Sequence, residues 1–230
     1  MKITRQTLQN RIVHWGIAIS TFALIITGIF QMPVAGRYNI NKVPFLEWSG
    51  DYYVSLNLHY IFAFLLIFFL FFHIVNHAIK GEFDIVPRKG DVKNSYLVIK
   101  AMIFKTPEPP SDKYLPEQRL AYLAFAFAFL LIVVTGMIKS YKNLLGFDIS
   151  NRAYYWAATL HNLGMVLIIL LIIAHLAAFI PKENRALLSA MFSGKVGAKY
   201  TLHRHSLWKE GVKKSQKALE KEEINSKKEI

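Results

Sequence analysis

Leu160-His161-Asn162-Leu163-Gly164-Met165-Val166-Leu167-Ile168-Ile169-Leu170-Leu171-Ile172-Ile173-Ala174-His175 is an apolar run with a histidine near each end. It lies within Tyr154–Ile180, a stretch without Asp, Glu, Lys or Arg. A bilayer core of about 30 Å is crossed by about 20 apolar residues in a helix, so this stretch predicts a transmembrane span. His161 and His175 are 14 residues apart. In a helix that separation is four turns less about 40°, with a rise of about 21 Å. Both histidines therefore point to nearly the same face, one near each surface of the membrane. Ionisable side chains inside a span are costly, face the protein interior and carry function. Two b-type haems stacked across a membrane require two axial ligands spaced in this way on one helix. Paired histidines leave no open iron position, which favours electron transfer over oxygen chemistry.

Three further runs are long enough to cross: Ile12–Met32, Leu56–Ala78 and Leu120–Ile138, again without Asp, Glu, Lys or Arg. The fold expected is all-α, an integral membrane four-helix bundle. Residues 1–208 form the di-haem domain and 209–230 a charged tail, read as a solvated or frayed helix. The first run is too long for a signal-peptide core and lacks a small-residue cleavage site, so it is read as retained. Tyr96–Lys105 alternates apolar and basic residues and predicts an amphipathic helix on the membrane surface.

The chain of 230 residues is 53% hydrophobic, carries a formal charge of +13 and has no cysteine. The absence of cysteine excludes a thiolate-ligated iron–sulfur cluster, a covalent c-type haem and a disulfide. The positive charge sits in loops and tail, where it reports membrane orientation and not nucleic-acid binding. The N-terminal arm has three Lys or Arg, the loop after the second run eight and the tail twelve; the other two loops have two and three. Both termini and the second loop are therefore expected in the cytoplasm of a multi-pass protein of the bacterial inner membrane.

Partners for the helix-four histidines must come from matching depths. His59 lies at the outer end of the second run and meets His161 in depth. At the inner side His14 and His73 both qualify; His73 follows His59 by 14 residues, on the same face. Arg11, one turn before His14, is placed to pair with a haem propionate. His77 reads as interfacial, and His203 and His205 as surface residues of the tail.

Several stretches together resemble a known family. They are Arg11-x-x-His14-Trp15, Leu24-x-x-Thr27-Gly28, Leu58-His59, Thr135-Gly136, His161 through His175, and Gly194-Lys195-Val196 leading to His205 and Trp208. The chain resembles the γ (cytochrome b) subunit of membrane-bound formate dehydrogenases, within the wider group of bacterial di-haem cytochromes b that includes those of nickel–iron hydrogenases. The resemblance implies that His59 and His161 bind an outer haem b, and His14 and His175 an inner one. It leaves His73 a packing or supporting role. It implies electron entry from a periplasmic iron–sulfur subunit joined to a catalytic subunit carrying molybdenum, tungsten or nickel–iron. Menaquinone or ubiquinone would be reduced near the inner haem, with no substrate dehydrogenase site on this chain. Where that family has an Asn-x-Gly-Gln pattern before helix three, this sequence has Leu115-Pro116-Glu117-Gln118 after Lys113-Tyr114, and only the glutamine matches. Lys113, Glu117 and Gln118 are the candidate quinone-side residues, with Gln118 as the preferred contact. Other expectations are a hydrogenase or sulfur-compound cytochrome b, a stand-alone cytochrome b561-like quinone reductase, and a haem-free transporter or assembly protein.

Overall fold

A computed structural model describes residues 1–228. Among them are nine α-helices and one short two-stranded sheet. Strand β1 (Lys2–Thr4) is followed by α1 (Leu8–Phe30), the short α2 (Pro33–Arg37), two single 3-10 turns, and α3 (Tyr52–Lys80). Next come α4 (Asp91–Phe104), α5 (Pro116–Leu145), α6 (Asn151–Ala177) and α7 (Lys182–Ser193). Strand β2 (Lys195–Gly197), α8 (Ala198–Arg204) and α9 (Lys209–Lys228) complete the order.

Helices α1, α3, α5 and α6 are each long and apolar enough to cross a membrane. Each overlaps one of the four expected runs, extended at one or both ends by polar or aromatic residues. The reason is capping. Asp51 accepts from the amides of Tyr53 and Val54 and starts α3 before its apolar residues begin. Thr7 and Ser150 do the same for α1 and α6 through the amides of Asn10 and Ala153. Proline at the first position opens α5, and Gly81 and Gly146, both at positive φ, close α3 and α5. The apolar side chains face outward in large part: Phe64, Phe71 and Ile74 of α3 are all exposed. An all-apolar surface of this kind is suited to lipid and not to water.

The chain divides into two compact units, residues 7–81 and residues 1–6 with 82–230. In the first, α1 packs against α3. In the second, α5 packs against α6, and α4 packs on α5. Here β1 pairs antiparallel with β2, Ile3 opposite Val196. Ile3, Ala190, Val196, Ala198 and Trp208 form a small apolar core beside this sheet. Helix α9 adds Ala218 and Leu219 to that core and buries Ser215, so the charged tail has a packed face and is not only solvated. A helix does form over most of Tyr96–Lys105, as α4, which starts earlier, at Asp91, and ends at Phe104.

Candidate functional site

The Thr-Gly steps of the sequence acquire a role. In the first unit Thr27 Oγ1 lies 2.8 Å from the carbonyl of Ala23 and 2.9 Å from His59 Nδ1. In the second unit Thr135 Oγ1 lies 2.6 Å from the carbonyl of Leu131 and 3.0 Å from His161 Nδ1. A hydroxyl has one hydrogen, and at both sites the helix carbonyl takes it. The oxygen is then the acceptor, and each histidine donates from Nδ1–H. That tautomer leaves the lone pair on Nε2, the nitrogen that a metal takes. Fixing a ligand imidazole through its other nitrogen is the usual arrangement at metal sites. Gly136 serves the same ring: a Cβ there would stand 3.2 Å from His161 Cε1.

The other histidines of α1, α3 and α6 have different surroundings. His175 meets Phe125 and Phe179 edge-on, ring centres 6.1 and 5.7 Å away. His14 lies on α1 parallel to the Trp15 ring, 5.4 Å between centres, with Arg11 one turn earlier. His73 and His77 approach each other at 4.5 Å. Imidazoles in an apolar, aromatic setting, two of them held with Nε2 as the basic nitrogen, fit the donor set of a haem.

At the foot of α5 the side chain of Gln118 turns back to accept from the Leu115 amide, 3.1 Å away, and caps the helix. The ammonium of Lys113 rests over the rings of Tyr114 and Trp208, 5.5 and 5.9 Å from their centres. Both carboxylate oxygens of Glu117 are buried without a hydrogen-bond partner. Thus Gln118 and Lys113 already serve the local fold, whereas the carboxyl of Glu117 does not.

Sequence reasoning missed what fixes this segment. Arg119 forms a two-pronged pair with Asp91 at 2.6 and 2.8 Å, both side chains buried, and reaches the Tyr114 carbonyl at 2.7 Å. Arg119 holds the Asp91 carboxyl below its ordinary range, with Arg88 assisting. His205, expected at the surface, is fully buried. Its Nδ1 donates to the Asp112 carbonyl at 2.7 Å, and burial with Arg5 nearby pushes its pKa down to about 4. Arg5 donates to the Lys113 carbonyl, and the Leu207 amide to that of Ser111. The N-terminal arm and the tail thus clasp residues 111–114 together.

Four membrane-length helices, with histidines on three of them and two of those rings oriented by threonine, define a membrane-embedded haem protein. Residues 5–194 match the prokaryotic cytochrome b561 family. The chain belongs to that family, and it is a membrane b-type cytochrome that carries haem b and transfers electrons. No curated protein matches it.

Proposed function

We propose that this chain is the membrane-anchoring di-haem subunit of a respiratory oxidoreductase of the formate dehydrogenase type. It accepts electrons from an iron–sulfur subunit on the periplasmic side of the bacterial inner membrane. It passes them to menaquinone or ubiquinone near the cytoplasmic side. His59 and His161 hold the outer haem b, and His14 and His175 the inner one. Arg11, one turn before His14, would pair with a propionate of the inner haem. When bound, each haem takes up and releases one electron at a time. The protein's own part is to present basic Nε2 atoms, to exclude water with phenylalanine, and to keep polar side chains at the foot of α5 for the quinone. The catalytic subunit, with molybdenum, tungsten or nickel–iron, belongs to another chain.

The observation that carries this reading is the 14-residue histidine pair on α6, with Thr135 orienting His161 through Nδ1. A second reading, a stand-alone quinone reductase fed by a diffusing donor, is favoured by the family match itself. The clasp of β1, β2, α8 and α9 builds an ordered polar surface at the end proposed to be cytoplasmic, opposite the periplasmic donor, so it does not separate the two readings. Two measurements decide. A pyridine haemochrome assay is expected to give two haem b per chain; a stable, colourless preparation overturns both readings. Purification under mild detergent is expected to bring an iron–sulfur subunit along. Recovery of a lone, quinone-reactive cytochrome selects the stand-alone reading.

A further inference from the structure

The residue at the foot of α5 whose side chain the fold leaves without a partner is also the one able to exchange a proton. Gln118 has its oxygen engaged by the Leu115 amide, and its NH2 group is far too weak an acid to exchange a proton. Lys113 is held against two rings. The charged groups around Glu117 are Arg204, Glu108 and Arg119. Both arginines are already engaged. Arg119 is paired with Asp91, and Arg204 binds Glu108 at 2.7 Å, Asn184 at 2.6 Å and the Glu183 carbonyl at 2.8 Å. A buried carboxyl approached by no donor beyond its own backbone amide holds a proton or meets a donor that a ligand brings, because an unpaired ion in such a place costs several kcal/mol. A hollow of about 200 Å³ is lined by Pro116 and Arg119, on the same helical turn as Glu117 but not by Glu117 itself, with Arg88 and Asp112 at its sides. It offers space for water at that turn.

We propose that Glu117 is the proton-exchanging group of the quinone site, an inference that rests on the quinone reading above. Conversion of quinone to quinol takes two electrons and two protons. For each electron delivered, the carboxyl O–H of Glu117 breaks, a new O–H forms on the quinone oxygen, and the carboxylate regains a proton from water on the cytoplasmic side. Oxidation of a quinol runs through the same steps in reverse.

The test uses membranes holding the haem-loaded, full-length protein, with duroquinol as probe and dithionite as a control reductant that needs no quinone site. Glu117→Gln is expected to keep the dithionite-reduced spectrum and haem content while duroquinol-driven haem reduction slows by about a hundredfold. Its remaining rate is expected to lose the pH dependence of the parent, and Glu117→Asp to recover part of both. Infrared difference spectra of the unmutated protein are expected to show a carboxyl band that responds to duroquinol. This readout stands even if the variants lose haem. An unchanged rate in Glu117→Gln, or no carboxyl band in the unmutated protein, overturns the role of Glu117 and leaves the quinone reading intact. If the unmutated protein is reduced by dithionite but not by duroquinol, the quinone reading fails and this inference with it.

Discussion

The α1/α3 pair and the α5/α6 pair carry the same device at one level and different devices elsewhere. In each, a Thr-Gly step on the first helix meets a histidine on the second, and that histidine is followed 14 residues later by another. Thirteen residues before the threonine, however, α1 has His14 and α5 has Tyr122. The later histidines differ too: His175 stands edge-on to two phenylalanines, while His73 faces His77. The ends of the helices opposite the threonine-oriented histidines are also secured differently. The foot of α5 is tied to α4 by the buried Asp91–Arg119 pair, whereas α3 is tied to α1 by an exposed hydrogen bond from Lys80 to Gln9. The comparison teaches that sequence likeness between the halves covers the threonine-oriented histidine and the 14-residue spacing to the next one, but not what surrounds that later histidine. Roles assigned by spacing alone do not transfer from one half to the other.

The largest effect tests the ligands. His59→Ala and His161→Ala are each expected to lower haem b from two to one per chain and to remove the same spectral component. His14→Ala and His175→Ala are expected to remove the other. His73→Ala is expected to keep both. Loss of a haem from His73→Ala, with both retained in His14→Ala, would make the halves true repeats and break the asymmetry just described.

Next is the unequal anchoring of these helix ends. Removing one partner of a buried ion pair leaves an uncompensated charge and costs about 3–5 kcal/mol. Asp91→Asn is therefore expected to lower the thermal midpoint clearly, and Lys80→Ala to change stability by no more than about 0.5 kcal/mol. Equal midpoints for the two variants would remove this distinction.

Much of this organisation was legible in the sequence. The four spans are visible because runs without charge have no other stable setting, and the α6 histidines because helical geometry fixes their face and depth. The threonine partners were not readable as such. Thr27 lies 32 residues from His59 and Thr135 26 from His161, and only packed helices show that the hydroxyls reach the rings. His205 was hidden for a different reason. Its neighbours in sequence are basic, and its burial depends on β1, from the other end of the chain, pairing with β2. Asp91 and Arg119, 28 residues apart, look in sequence like ordinary loop charges.

A pH titration separates the clasp from the helix pairs. His205 is neutral in the fold, with its pKa lowered from 6.5 to about 4. Between those values the unfolded chain binds a proton that the folded clasp does not. Stability therefore falls as the pH drops from 6.5, by up to about 1.4 kcal/mol per pH unit, and levels off below about 4. Asp91 acts in a more acidic window. Its pKa is lowered, so its contribution is present above the ordinary carboxylate range and is lost as the pH falls through and below it. Relative to the intrinsic rate at each pH, hydrogen exchange of residues 195–215 is expected to rise between pH 6.5 and 4, with that of α1 and α3 unchanged. His205→Asn, whose amide can replace the donation to Asp112, is expected to flatten that rise. A rise of equal size in His205→Asn would assign the transition to another group.

The smallest effect asks how deep the likeness of the two pairs goes. Thr27→Val and Thr135→Val keep the shape of the side chain and remove the oxygen that accepts from His Nδ1. A neutral hydrogen bond contributes about 1 kcal/mol, so neither variant is expected to unfold the protein. The histidine loses its orienting partner, and ligand-supporting contacts of this kind influence metal affinity about 10–100-fold. Both variants are therefore expected to bind the outer haem more weakly and to shift its midpoint potential in the same direction. Because His59 and His161 are proposed to ligate one haem, the double variant should shift that haem further and leave the inner haem's potential unchanged. Gly136 introduces a graded control on the α5/α6 side. Its missing Cβ would be 3.2 Å from the His161 ring, so Gly136→Ala displaces the ring by a few tenths of an ångström while the Thr135 contact remains available. A shift from Thr135→Val larger than that from Gly136→Ala would assign the effect to the hydrogen bond. If Thr27→Val and Thr135→Val moved two different spectral components, His59 and His161 would ligate separate haems, and the proposed outer pairing would be wrong.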